Sequence, residues 1–177
     1  KTIEELPQYI NPQSGYLFNT NHSPFLATDV KYNLDMRKFD RTDGYETYHN
    51  NRSQRVTELI NGDKVDYPTF KRIKFDQQLP KELKYIYGID SMLNLNANEY
   101  PAIQEMVTVF QAWDRKSTVT SKGAAIFLLT YYYLADRLKG VPARLITQKE
   151  AVETYQYVYD YMMKHFGKTD LVLGDIQ

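Results

Sequence analysis

Apolar positions follow two regimes along the chain. Near the amino end a single short run has strand length and strand composition, Tyr16-Leu17-Phe18. It follows two chain-reversal signals, Asn11-Pro12 and Ser14-Gly15, and leads directly into Asn19, Thr20, Asn21, His22 and Ser23, with Pro24 stopping any ladder. The pattern predicts a strand that places a dense set of short polar side chains at its end. From Phe25 to Thr42 the apolar residues show no period, which reads as a long connecting segment, functional or packed by its own side chains.

Beyond that segment the spacing turns helical. A helix is predicted from about Gly44 to Ile60, capped by Asp43 with Glu46 three residues on, bearing Val56, Leu59 and Ile60 and stopped by Asn61-Gly62. A short helix starts near Asp66 with Pro68 in its first turn, and another follows Pro80, from about Lys81 to Leu93. Residues 99 to 114 place Ile103, Met106, Val107, Phe110 and Trp113 at helical spacing. Residues 120 to 139 are apolar on most faces and should be central, ending at Gly140 and Pro142. The last helix opens on the capping box Thr147-Gln148-Lys149-Glu150 and closes at Gly167. Within it Tyr155, Tyr157, Tyr159 and Tyr161 alternate as in a strand, but the cap, the length and the apolar set from Val152 to Phe166 favour helix. Leu171-Val172-Leu173 reads as a second short strand. The expectation is a mainly α chain of about six helices with a short strand near each end: residues 1–30 as turn, strand and Asn cluster, and 31–177 as a helical region.

Composition narrows the function classes. The 177 residues make one domain or one domain's worth of a larger chain. Lys plus Arg and Asp plus Glu are 22 each, so no net field draws the chain to nucleic acid or to an acidic membrane surface. The absence of cysteine excludes disulfides and thiol chemistry. Three histidines, His22, His49 and His165, are too scattered for a metal-ligand pattern. No apolar run reaches the ~20 residues that span a bilayer. The 16 tyrosines supply large apolar area with a polar tip, and a row of them could instead stack a sugar.

Asn-rich strand ends are commonly turns whose side-chain amides bond their own backbone, and the Asn19–Ser23 cluster admits that reading. Four landmarks in order point further: Asn11-Pro12-x-x-Gly15-Tyr16 with Asn19-x-Asn21-x-Ser23-Pro24; Arg55-Val56-Thr57-Glu58-Leu59; Trp113-Asp114 followed by Ser121-x-Gly123-Ala124; and Leu173-Gly174-Asp175. Together they resemble the β-chain of the penicillin acylase family, which includes the acyl-homoserine-lactone acylases. The resemblance implies an αββα N-terminal-nucleophile hydrolase, of which this chain would be an internal, α+β piece. It also implies a catalytic serine whose own α-amine is the base, an N-acyl amide substrate, the α-chain and the rest of the β-chain as partners, and a periplasmic or extracellular location.

Carried over residue by residue, the resemblance makes Asn21 an oxyanion-hole donor, since a neutral amide can donate to a developing oxyanion without itself titrating. It makes Arg55 an active-site arginine that orients the surroundings, with Arg52 a rival one turn earlier, and the alternative for Arg55 is a surface pair with Glu58 or Glu46. His22 stands where relatives often carry asparagine and would line the substrate pocket or act as a structural hydrogen-bonder. Some members bind calcium through an aspartate shortly after the Ser-Pro pair. Asp29 is the nearest such residue, at a different spacing, and no metal or cofactor is assigned. Residue 1 is lysine, so the nucleophile is expected outside this chain and the isolated chain is expected to be inactive. The competing reading is a non-catalytic helical scaffold or interaction module, with exposed coplanar Tyr155, Tyr157 and Tyr159 as a sugar-binding face.

Overall fold

Four helix starts in this chain are set by side chains that accept a free backbone N–H three residues ahead. In a computed structural model describing residues 1–60, 64–83, 90–141 and 144–177, Asn50 accepts from Ser53 (2.8 Å) and opens α1, Asn51–Ile60. Asp66 accepts from Thr69 (2.9 Å) and opens α2, Tyr67–Lys74, with Pro68 in the first turn. Asp90–Leu93 forms the short α3, and α4 spans Gln104–Gln111 after two 3-10 turns, Ala97–Glu99 and Pro101–Ile103. Ser121 accepts from Ala124 (3.1 Å) at the head of α5, Lys122–Arg137. The Thr147–Glu150 capping box opens α6, Gln148–Phe166, which Gly167 closes with φ 70°. Leu173–Ile176 is α7.

The chain forms two compact units, Lys1–Asp76 with Pro80–Lys84 and Gln77–Leu79 with Tyr85–Gln177. In the second, α5 packs on α4, α6 and α7. The buried faces are Met106, Val107 and Phe110 of α4, Ala124, Ala125, Ile126 and Leu134 of α5, and Ala151, Tyr155, Val158 and Met162 of α6. The fully buried Tyr155 donates its hydroxyl to the Met92 carbonyl (3.0 Å), and burial pushes its pKa up. In the first unit the 25–43 segment is a chain of 3-10 turns. Ser23, Asp29, Asp35 and Asp40 each accept the amide hydrogen two residues on, and Phe25 is buried between Phe39 (5.3 Å) and Tyr45 (5.9 Å).

Several expectations are corrected. Among the described residues there is no named strand, only an isolated antiparallel bridge between Gln78 and Lys116. Tyr16–Phe18 forms no strand: exposure alternates residue by residue from Asn11 to Asn21, but the Phe18 N–H to Ala27 carbonyl bond (3.0 Å) makes no ladder. Leu173 begins a helix rather than ending a strand. The amides of Leu173 and Gly174 donate to Ser121 (2.9 Å) and Val119 (2.8 Å), which docks this turn on the start of α5. The helix expected from Gly44 starts only at Asn51, because Gly44 at φ 71° ends the 3-10 turn Arg41–Asp43 and Asp43 pairs with Lys1. The 99–114 helix keeps α geometry only over Gln104–Gln111. The Asn61-Gly62 stop, the middle of the 81–93 helix and Pro142 lie outside the described residues.

Candidate functional site

Asn21 sits at φ 56°, in the left-handed region that asparagine tolerates better than most side chains. Its backbone N–H donates to the Asn19 side-chain oxygen (2.8 Å), an Asx turn that closes the loop on itself. Two residues from the first turn of α1 and its cap then grip it. The Asn50 side-chain nitrogen donates to the carbonyls of both Thr20 and Asn21, each at 3.0 Å, while its oxygen caps the helix on Ser53. An Arg52 Nη2 reaches the Asn21 Oδ1 at 3.4 Å, a long hydrogen bond. Asn21 is exposed. Its amide oxygen accepts from a cation, and its Nδ2 makes no hydrogen bond among the described residues.

The two arginines named from sequence therefore do different things. Arg55 lays a fork on Asp76, Nε to Oδ2 at 2.8 Å and Nη2 to Oδ1 at 3.1 Å, and spends Nη1 on Glu58 (3.1 Å). Hydrogen bonding to Asp76 raises its pKa above the ordinary arginine value. Glu58 also accepts the Lys81 backbone N–H (3.1 Å). Arg55 thus ties α1 to the segment that follows α2, and Arg52 is the arginine brought to Asn21.

His22 has both ring nitrogens engaged: Nδ1 lies 3.2 Å from the Thr20 N–H, and Nε2 faces the Leu26 carbonyl at 2.9 Å. Its ring stacks on Phe18 (4.8 Å). Asp29 accepts the Lys31 N–H (2.9 Å) as a turn cap. No group of three or more Asp, Glu or His side chains suited to a metal occurs among the described residues, and no helix among them is long and apolar enough to cross a membrane.

The tyrosine face differs from the sugar-platform expectation. Tyr155 is buried, so Tyr155, Tyr157 and Tyr159 cannot form one exposed plane. Tyr133 and Tyr157 instead stack on each other at 4.1 Å, and Tyr161 stacks beside Tyr157 at 6.3 Å, which turns ring faces toward each other.

Sequence reasoning missed Asn50. The signal was present: an asparagine standing three residues before Ser53, ahead of the Val56, Leu59, Ile60 set.

Residues 2–170 match the penicillin amidase family, and the chain belongs to that family. This places it at family level among acylase-type amide hydrolases. A comparison with curated proteins finds no match.

Proposed function

We propose that this chain supplies the oxyanion-stabilising part of an enzyme that cleaves N-acyl amide bonds, with the acyl group passing to an N-terminal serine outside these 177 residues. Asn21 donates from Nδ2 to the oxyanion of the tetrahedral intermediate. The observation that carries the reading is the presentation of that amide: Oδ1 on Arg52, Nδ2 without a partner among the described residues, and the backbone held by Asn19 and Asn50. The guanidinium adds positive potential where negative charge would form. Arg55 acts one step back, by anchoring the helix whose first turn holds Asn21. His22, with both nitrogens taken, contributes a ring as a wall beside the amide. The α-chain and the rest of the β-chain of the same acylase complete the site, and the assembled enzyme works in the periplasm or outside the cell.

The test is hydrolysis of a chromogenic N-acyl anilide. The isolated chain gives no turnover. In the assembled enzyme Asn21→Ala lowers kcat roughly 100- to 1000-fold, the usual loss for one oxyanion donor. Unchanged kcat in that variant, or turnover by the isolated chain that survives it, removes the assignment.

A further inference from the structure

An exposed amide on a loop is a poor oxyanion donor unless its position and rotamer are fixed before the charge appears, because reorganisation at the moment of reaction erodes the stabilisation. Three loop features bear on this. The left-handed backbone at Asn21 is a conformation that most non-glycine residues avoid and that asparagine adopts. Asn50 holds it: one amide group makes three hydrogen bonds, two to consecutive loop carbonyls and one to the helix it caps. Arg52, two residues into the same turn, takes the side-chain oxygen. The helix start and the loop are thus one device, spanning 29 and 31 positions in sequence.

We infer that Asn50 and Arg52 are positioning residues for the Asn21 amide, Asn50 through the backbone and Arg52 through the side chain. This rests on the reading of Asn21 as the oxyanion donor. Arg52 selects the rotamer in which Oδ1, not Nδ2, meets it, since the flipped amide would set N–H donors against a guanidinium that has only donors. It also draws electron density toward Oδ1 and so strengthens donation from Nδ2. Asn50 fixes where the amide stands. Neither residue needs to touch the substrate, so both act on kcat and leave KM nearly unchanged.

The experiment is steady-state kinetics of the assembled enzyme on a chromogenic N-acyl anilide with five variants. Arg52→Gln is expected to lower kcat about tenfold at constant KM, and Arg52→Lys to recover part of it because a cation returns without the planar fork. Asn50→Asp keeps the oxygen that caps Ser53 but removes both donors to the loop. It should fold with wild-type helix content and lose kcat on the order of 100-fold, the scale of an ångström-sized misplacement. In an Asn21→Ala background, Arg52→Gln costs nothing further. If Asn21→Ala lowers kcat while Arg52→Gln and Asn50→Asp do nothing, or multiply with it independently, positioning is wrong and the donor assignment stands. If Asn21→Ala itself leaves kcat intact, the donor assignment is wrong and this inference goes with it.

Discussion

A methyl group added at Gly123 has nowhere to go. A Cβ built there lies 2.2 Å from Cγ, 2.3 Å from Cβ and 2.4 Å from Cδ1 of Trp113. Comfortable carbon contacts begin near 3.5 Å, so the two segments must separate by more than about 1 Å. Ring rotation cannot relieve this, because the Trp113 Cβ itself is one of the close atoms. The indole is also pinned, its Nε1–H on the Lys116 carbonyl (3.0 Å) and its ring against Phe110 (5.6 Å) and Phe127 (5.0 Å). Phe110 is fully buried and cannot retreat. Overpacking of this kind costs about 1–3 kcal/mol, with the indole hydrogen bond, worth about 1 kcal/mol, at risk as well. Alanine's higher helix propensity offsets at most about 1 kcal/mol.

Gly123→Ala should therefore lose about 2–3 kcal/mol, or roughly 5–10 °C in Tm for a chain of this size. Circular dichroism at 222 nm follows the melt. Trp113 is the only tryptophan, so its emission reports the contact directly and should shift to the red as the indole is pushed outward. Trp113→Phe in the Gly123→Ala background should not restore Tm, since phenylalanine keeps the offending Cβ. A Gly123→Ala protein that melts at or above the wild-type temperature with unchanged emission refutes the packing.

Two further predictions concern charge. Arg55→Gln removes the fork to Asp76 and should destabilise the chain by about 1.5–3 kcal/mol, the range for hydrogen bonds to charged groups. It should lower the urea midpoint without changing the slope, and Arg55→Lys should not rescue it because a single ammonium cannot make the paired bonds. Arg144 above all, with the Thr147 N–H and hydroxyl, holds the Glu150 carboxyl from its ordinary 4.5 down to about 2. A depressed carboxylate contributes stability that is full above pH 4.5 and is lost as the pH falls toward 2. Acid titration of helix content should thus show a loss in that window that Glu150→Gln lacks.

What was legible in the sequence was local. Thr147 with Glu150, and Asp66 with Pro68, each cap a helix within three or four residues, and each element forms there. The failures are non-local. Asp43 and Asn50 both stand before the apolar stripe of α1, and only the left-handed turn at Gly44 decides between them. Arg55 finds its main partner 21 positions on, at Asp76, beyond the reach of helical spacing. Tyr16–Phe18 has strand composition but forms no strand, because a ladder depends on a partner strand, which is a tertiary fact. Asn21 was legible through resemblance, which also left Arg52 as the rival to Arg55, but nothing foretold that Asn50 would hold the loop.

The four landmarks that suggested the family divide by the physics that fixes their residue types. Trp113, Gly123 and Gly174 are set by space: Trp113 lies on Gly123, and the Gly174 N–H meets the Val119 carbonyl where an added Cβ would approach that oxygen to 3.1 Å. Gly15 at φ 77° and Asn11 at φ 48° are set by backbone conformation. Arg55 and Glu58 are set by an ion-pair and hydrogen-bond network. Asn21 differs from all of these. Its left-handed φ would suit glycine better, its side chain fills no core position, and its Nδ2 satisfies no described group. Asparagine tolerates that φ, as at Asn11, and its Oδ1 accepts from Arg52, so the fold accounts for the residue type up to Nδ2, which has no partner among the described residues. Under the proposed function, charge developing on a bound substrate is what that neutral donor beside an arginine meets.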